Sequence, residues 1–311
     1  MPLTYDRLLL AKLESTYGTS SAPTGTDAIR VNNLNCDPLK MGLVTREILY
    51  PHASNRPRLV TQRVSEVSFD FELAGSGTAG TPPKTGIFFR AAGYSETIVA
   101  STSVTYAPIG SNFEGITIDA RVGRKRHLLT GVRGTLDFEF KTNQIPIGKF
   151  TGMGFYTAPT DVANPSQTFS NQATPAIFNA DNTQTISVHG FAACMESFSF
   201  KTGRSPQVHQ RAGCTKQIRI DTERACELEF VIESPTIAEK DYFTAAANQT
   251  LAGISFTHGL TAGNILAFAS SGISLGEPAY DDANGVEMLT CSGSPIPSPT
   301  NGYDDHSWIF T

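Results

Sequence analysis

Residues 64–73 read VSEVSFDFEL, and this stretch decides the fold class. Its apolar side chains fall on every second position, at Val67, Phe69, Phe71 and Leu73. The positions between them are polar and mostly acidic: Glu66, Ser68, Asp70 and Glu72. A period of two places the two sets on opposite faces of a β-strand, one against a core and one toward water. The stretch therefore predicts a half-buried strand with an acidic face.

The segment that leads into this strand predicts a long β-hairpin. Residues 42–62 contain two strand-like runs on either side of a turn rich in Pro, Asn and Arg. Such clusters of turn residues between strand-like runs are typical of hairpins. A hairpin of this length extends beyond its domain, and its tip needs a partner surface. We therefore expect the protein to act by assembly rather than by catalysis.

Composition favours an all-β architecture and excludes several function classes. The 311 residues include 27 Gly and 18 Pro, with β-branched and aromatic residues between them, which indicates many strands and turns. The net charge of -5 argues against tight nucleic-acid binding, because neutralising phosphates requires a basic surface. No apolar run approaches the ~20 residues of a membrane span, so we expect no membrane partner.

The order of predicted elements indicates two β-sandwich domains. Residues 1–160 are predicted to form the first, with an N-terminal helix or strand at 1–18, the long hairpin and a short helix at 86–94. Residues 161–184 are rich in Pro, Asn, Thr and Ser and are the predicted linker. Residues 185–311 are predicted to form the second domain. The chain is long enough for each half to bury a core.

The second half follows the pattern of the first. A Phe-alternating strand ends in ESFSF at residue 200, a turn with Arg, Pro and His follows, and strands are predicted at 217–222 and 225–233. A helix with Ser234 as its cap and Pro235 at its first position comes next. We interpret this order as an internal duplication in which each half carries a long β-hairpin and a short flanking helix, although few residues are identical.

No motif predicts an enzyme, a metal site or a cofactor. Five cysteines form no CxxC pair and no zinc-like spacing, so reduced thiols are expected. The GSGTAG at 75–80 lacks the Lys-Ser/Thr of a phosphate loop. The basic run at 124–126 is interpreted as a solvated hairpin tip, and the acidic pairs at 281–282 and 304–305 as turns rather than calcium ligands. No GxSxG occurs, and no residue has a recognisable nucleophile context.

Three segments resemble the major tail tube proteins of long-tailed, siphovirus-like bacteriophages. They are LLLAKLESTYGTSSAPTGTDAI, VSFDFELAGSGTAGTPPKTGIFFRAAG and HLLTGVRGTLDFEFKTNQIPIGKFTGMGFYTAPTD. Together they cover most of residues 1–160, whereas the second half follows the pattern alone. The resemblance implies β-sandwiches with a flanking short helix, and subunits that join strands edge to edge into rings. The rings would stack into a hollow tube through which DNA enters the host.

The resemblance also implies partners and a location. The protein would self-associate, and a trimeric ring with quasi-sixfold symmetry is favoured over a hexamer because the chain carries two tube-like halves. Tape measure, tail terminator and distal tail proteins would be its other partners. Double-stranded DNA would pass without specific binding, which suits an acidic channel. The location would be the virion tail, assembled in the host cytoplasm.

The resemblance assigns roles to two sets of residues. The side chains expected to face the channel are Glu66, Ser68, Asp70, Glu72, Glu227 and Glu229. The hairpin residues expected to reach the neighbouring ring are Leu49, Tyr50, Pro51, His52, Asn55, Arg56 and Arg58.

Three alternatives stay open at this point. A hexameric ring would place the second half on the outside of the tube. A secretion or injection system could use the same tube-forming fold. A virion-associated adhesin or hydrolase could also be a β-sandwich, but it would need a polar pocket with shifted titrations.

Overall fold

The structure is a computed structural model that describes residues 6–221 and 224–311. Residues 1–5 of the predicted N-terminal element lie outside these ranges, as does Thr222 of the predicted strand 217–222. The predicted all-β class is confirmed, since strands dominate the described residues and the helices are short.

The elements are numbered in chain order. The strands of the first half are β1 (Arg7–Leu13), β2 (Ala28–Ile29), β3 (Asn32–Thr45), β4 (Arg58–Glu72), β5 (Tyr94–Val99), β6 (Ser103–Pro108), β7 (Ile116–Val122), β8 (Lys125–Lys141), β9 (Ile147–Phe155) and β10 (Thr160–Asp161). Those of the second half are β11 (Thr183–Val188), β12 (Phe191–Ala192), β13 (Met195–Lys201), β14 (Pro206–His209), β15 (Gln217–Ile220), β16 (Glu227–Glu233), β17 (Ala252–His258), β18 (Leu266–Leu275), β19 (Ala279–Ala283), β20 (Val286–Pro295) and β21 (Ser307–Phe310). The helices are α1 (Gly86–Ala91) and α2 (Tyr242–Ala247), with a 3₁₀ turn at Gly25–Asp27.

One continuous antiparallel sheet runs through both halves of the chain; we call it the long sheet. Its order is β3-β4-β9-β8-β13-β16-β20. The last residues of β18 and all of β19 pair along the far side of β20. The halves meet where β8 pairs with β13, with Asp137 opposite Lys201 and Lys141 opposite Ser197.

A second layer covers one face of the long sheet. In the first half, β1 pairs with β2 and β7, and β7 pairs with the beginning of β8. In the second half, β11 pairs with β12 and β17, and β17 pairs with β18. The C-terminal strand β21 lies between β18 and β6, so it also links the halves.

The pairing pattern of the first half recurs in the second. In the second layer, β11–β12 corresponds to β1–β2, β11–β17 to β1–β7, and β17–β18 to β7–β8. In the long sheet, β18–β20 corresponds to β8–β9, β16–β20 to β4–β9, and β13–β16 to β3–β4. A short helix follows β4 and β16 in turn. One hydrophobic core draws on residues of both halves, so the division at residues 160 and 185 stays a prediction.

Aromatic side chains from the two layers fill this core. The predicted inward residues of β4 are all buried: Val67, Phe69, Phe71 and Leu73. Phe88 of α1 packs with ring-centroid distances of 4.8 Å to Phe69 and 5.4 Å to Phe150. Trp308 of β21 lies 4.3 Å from Phe138 of β8. The alternation in the sequence thus becomes a single packed interior, where each large ring buries substantial apolar area.

Several predicted boundaries are wrong for local reasons. The predicted cap Ser234 does not begin α2, because Glu239 bonds back to Thr236 and closes a separate turn. The helix begins after Asp241, whose side chain accepts a 2.8 Å hydrogen bond from the Thr244 amide. The predicted helix 86–94 ends earlier, near Gly93, which has a φ of +85°. Such a conformation favours glycine and stops a helix.

The predicted linker is mostly irregular chain that lies against the first half. The amide of Thr168 donates to the Gly25 carbonyl and the amide of Ala173 to the Gly75 carbonyl, both at 3.0 Å. Strand β11 already begins at Thr183. Strand pairing at β11 depends on β17, about 70 residues later in the chain, so composition alone did not predict it.

Candidate functional site

The predicted channel-facing residues share the polar face of the long sheet, opposite the core. On β4 they are half-buried: Glu66, Ser68, Asp70 and Glu72. On β16 they are exposed: Glu227 and Glu229. The face is therefore continuous across both halves, although these residues are more than 150 positions apart in the sequence.

Lysines interrupt the acidic character of this face. In one row across five strands, Asp70 lies opposite Lys149, Lys149 opposite Asp137, Asp137 opposite Lys201, and Lys201 opposite Glu227. Burial raises the pKa of Asp137, and Lys149 and Lys201 oppose that shift. Opposite charges across neighbouring strands stabilise the pairing. Sequence reasoning missed these lysines because the row depends on register between distant strands.

The long hairpin predicted from residues 42–62 is present as the ends of β3 and β4 with the loop between them; we call residues 40–63 the first hairpin. The hairpin residues expected at the next ring are all exposed: Leu49, Tyr50, Pro51, His52, Asn55, Arg56 and Arg58. Leu49 is 96% exposed. Tyr50 stacks on His52 at 5.7 Å, and Arg56 pairs with Glu47. The hairpin also exposes apolar side chains along its strands: Met41, Leu43, Val44, Leu59 and Val60.

The second half has its own hairpin, formed by β14, β15 and their loop at residues 206–220; we call it the second hairpin. It packs on the first half of the same chain. Ile218 is 0% exposed, and its amide donates to the Tyr17 hydroxyl at 2.8 Å. Arg133 donates to the Ile218 carbonyl at 2.9 Å and stacks 4.1 Å over the Tyr17 ring. Burial raises the pKa of Tyr17, so its hydroxyl stays protonated.

Arg204 fixes the chain where it enters the second hairpin. Its buried guanidinium donates to the carbonyls of Ala92, Gly93 and Ile109, at 3.2, 3.0 and 2.6 Å. A Cβ added at Gly93 would lie 1.8 Å from this guanidinium. The glycine therefore serves two needs, the positive φ after α1 and the close approach of Arg204.

A buried polar network joins the segment before β16 to the C-terminal segment and to the first half. Arg224 donates to Asp305 at 2.6 Å, Asp305 contacts His306 Nδ1 at 2.9 Å, and His306 Nε2 contacts the Tyr94 hydroxyl at 2.8 Å. Burial lowers the pKa of His306 despite the neighbouring carboxylate. Burial alone would raise the pKa of Asp305, but His306 and Arg224 lower it. Arg224 thus links the chain that leads into β16 to Asp305 and His306, and His306 links these to Tyr94 of the first half.

The same cluster is the one group of possible metal ligands that the described ranges contain. Cys226, Asp305 and His306 bring their ligand atoms within 4.8 Å of one another. Burial raises the pKa of Cys226 to about 11, so its thiol is protonated, whereas a metal ligand is a thiolate. The positively charged guanidinium of Arg224 already forms an ion pair with the Asp305 carboxylate. The donor set therefore fits a hydrogen-bonded structural network better than a cation site.

A groove beside β11 and β13 has a volume of about 590 Å³ and includes Cys194 and Glu233 in its lining. Burial and Glu233 raise the pKa of Cys194. A nucleophilic cysteine requires the opposite shift. The groove therefore does not provide the activated nucleophile that a hydrolase of this kind would use.

Among the residues with described positions, no helix has both the length and the apolar character needed to cross a bilayer.

Comparison with known proteins places this geometry in a family. The family model described as phage tail tube protein matches residues 4–295. No curated protein matches the sequence. The matched region includes the long sheet, both hairpins and both short helices. Since the match covers nearly the whole chain, the protein belongs to the phage tail tube protein family.

Proposed function

We propose that the protein polymerises as stacked rings into the hollow tube of a phage tail, through which DNA passes into the host cell. The single observation that carries this proposal is the long sheet with an unpaired strand at each side. Within the described residues, β3 pairs only with β4, and β19 pairs only with β20. An unpaired edge is a template for another strand, and closing a sheet into a barrel removes every edge.

Three copies complete one ring in this proposal. The repeated pairing pattern supports two tube units per chain, and the β8–β13 contact joins them edge to edge. Three chains would then supply six units, which gives quasi-sixfold symmetry. A second half that decorated the outside would have no reason to continue the long sheet.

Stacking of rings is assigned to the first hairpin. It carries exposed apolar side chains on both strands, and Leu49 lies at its loop with almost no contact. Covering apolar surface of this kind with a partner is favourable, because it removes that surface from water. Arg56 and Arg58 would add polar contacts to the neighbouring ring.

The polar face would line the channel. Its carboxylates include Glu66, Asp70, Glu72, Asp137, Glu139, Glu227 and Glu229, and its amines include Lys141, Lys149 and Lys201. The excess of negative charge disfavours lasting phosphate contacts. The interleaved lysines keep the face from being strongly repulsive. DNA could then slide without specific binding.

No enzymatic activity is assigned to the protein, and its place is the virion. Tape measure, tail terminator and distal tail proteins are proposed as partners at the interior and the two ends of the tube. Assembly is proposed to occur in the host cytoplasm.

The test is to shorten the first hairpin without disturbing its base. Replacing residues 46–57 by Asn-Gly joins Thr45 to Arg58, which lie opposite each other, through a two-residue turn. We expect a folded protein that forms no tubes in electron micrographs, whereas the unsubstituted protein does. An Asn-Gly replacement of residues 123–124 at the β7–β8 turn, between the paired Val122 and Lys125, is the matched control. Tubes of normal length from the shortened variant would refute the stacking role.

A further inference from the structure

The contact between the two halves provides a template for the contact between copies. Strand β8 ends the set of first-half strands in the long sheet, and β13 begins the set from the second half. Their register is Asp137 opposite Lys201, Phe138 opposite Phe200 and Glu139 opposite Ser199. At the outer sides of the sheet, β19 and β3 lack such partners in the described chain.

The strands β4 and β16 set the correspondence between the halves. Residues 66–72 read EVSFDFE and residues 227–233 read ELEFVIE. Phe69 and Phe230 both face the core, and Glu72 and Glu233 occupy the same place at the strand ends. Both strands also pair with the same kind of neighbour, β9 and β20.

This correspondence extends to β19. On β9, Ile147 lies opposite both Glu72 and Glu139. On β20, Met288 lies opposite both Glu233 and Asp281. Asp281 therefore takes the place of Glu139. The next residues follow in order: Tyr280 corresponds to Phe138 and Ala279 to Asp137.

The same reasoning applies to β3. Lys201 lies opposite Glu227 on β16, and Asp37 lies opposite Glu66 on β4. Since Glu227 corresponds to Glu66, Asp37 takes the place of Lys201. The neighbouring residues follow: Cys36 corresponds to Phe200 and Asn35 to Ser199.

We propose that β19 of one copy pairs antiparallel with β3 of the next copy, with Ala279 opposite Asp37, Tyr280 opposite Cys36 and Asp281 opposite Asn35. This interface rests on the proposed function, and it names the two strands and the register by which copies join within a ring.

The exposure of Tyr280 supports this assignment. It lies opposite Leu289 on β20 and so faces the core side, yet it is 60% exposed while Leu289 is 2% exposed. Its counterpart Phe138 is buried, with Phe200 of β13 as its cross-strand partner. The missing cover over Tyr280 is the cover that a neighbouring β3 would supply. Phe243 of α2 already packs on its other side, at 5.3 Å.

The side chains of the polar pair are also compatible. Asp281 and Asn35 are exposed in the single chain. A carboxylate accepts hydrogen bonds that an asparagine amide donates, so this pair can form without burying a charge alone. The pair Ala279 and Asp37 has no large side chain that would clash.

Disulfide trapping tests the register. The test protein carries Asp37→Cys and Ala279→Cys, with Cys36, Cys194 and Cys214 changed to serine. Directly opposed residues lie about 4.5–5.5 Å apart, within the Cα distance range of a disulfide. The off-register control replaces Ala279→Cys by Asp281→Cys, where the diagonal distance of about 7–8 Å is too long. The in-chain control is Asp137→Cys with Lys201→Cys.

Tubes are assembled, oxidised with copper-phenanthroline, dissolved and run on non-reducing gels. We expect loss of most of the monomer band into species that end at a covalent trimer, and only background cross-linking for the off-register control. The in-chain control should cross-link without any increase in mass. If the substituted protein forms no tubes, the pair Asn35→Cys with Asp281→Cys is used instead.

The outcomes separate this proposal from the function on which it rests. Tubes that cross-link better in the off-register control, or in neither register, would overturn the interface while keeping the tube. Failure of the unsubstituted protein to form any tube would instead count against the proposed function.

Discussion

The two hairpins of this chain occupy the same place in the repeated pairing pattern but have opposite surroundings. The second hairpin packs on the first half, where Ile218 is buried and its amide donates a hydrogen bond to the Tyr17 hydroxyl. The first hairpin projects from the protein, and Leu43 and Leu49 are exposed. The hairpin of the second half is thus covered by its own chain, whereas the hairpin of the first half is exposed.

The difference separates stability from assembly. Contacts of the second hairpin form when one chain folds, so they contribute to the free energy of unfolding. The first hairpin touches the second only near its base, where Gln210 and Lys216 donate to the carbonyls of Thr61 and Arg63. Under the proposed stacking, its exposed apolar residues would contribute to association. Mutations in the two hairpins should therefore change different measurements.

The largest effect is expected at the base of the second hairpin. Arg204→Ala leaves the buried carbonyls of Ala92 and Gly93 and the half-buried carbonyl of Ile109 without their charged donor, and we expect a loss of about 4 kcal/mol in the free energy of unfolding. Urea unfolding followed by circular dichroism measures it. Arg219→Ala, at an exposed position of β15, is the control and should change little. A midpoint equal to that of the unsubstituted protein would contradict the role of Arg204.

A matched pair of apolar truncations compares the hairpins directly. Ile218→Ala in the second hairpin should cost about 3 kcal/mol of stability, because it removes a buried side chain. Leu43→Ala in the first should change stability by less than about 0.5 kcal/mol but raise the protein concentration needed for tube formation. Urea unfolding and sedimentation measure the two effects. Equal stability losses at both positions would remove the distinction between the hairpins.

The smallest effect is expected from pH, through the network of Arg224, Asp305 and His306. The pKa of His306 is lowered from its ordinary 6.5, so its contribution is fully present above that value and is lost as pH falls below it. The pKa of Asp305 is lowered from 3.8, so its contribution is lost only at still lower pH. Stability should therefore fall from pH 7 to pH 5 and further below pH 4.

The histidine's part in this pH dependence can be isolated. His306→Gln should flatten the dependence of the urea midpoint between pH 7 and pH 5. His258→Gln, a second buried histidine away from the hairpin, is the comparison. If His306→Gln keeps the full slope, the network does not carry it.

The sequence predicted what depends on neighbouring residues. The alternation in residues 64–73 gave the buried side of β4, and the turn residues around Pro51 indicated a long hairpin. It did not predict β19 or the place of Lys149 and Lys201, because these depend on the register of strands far apart in the chain. The tail tube resemblance of the first half is confirmed by the family match over residues 4–295.

The second hairpin illustrates the same limit. Its sequence, with Arg, Pro and His in the turn, resembles the first in composition, so the pattern predicted two equivalent hairpins. Burial of Ile218 on Tyr17 and Arg133 is a property of folded geometry, and composition carries no signal for it. The buried Arg224–Asp305–His306 network was also missed, because Asp305 and His306 look like residues of an acidic turn.

Electron microscopy of assembled tubes, with symmetry determined from end-on views and helical averaging, tests the central claim most directly. Two tube units per chain predict three chains in each ring, with threefold symmetry that approximates sixfold. The first and second hairpins should then alternate around the ring. Rings of six chains, with the second half on the outside, would contradict this account.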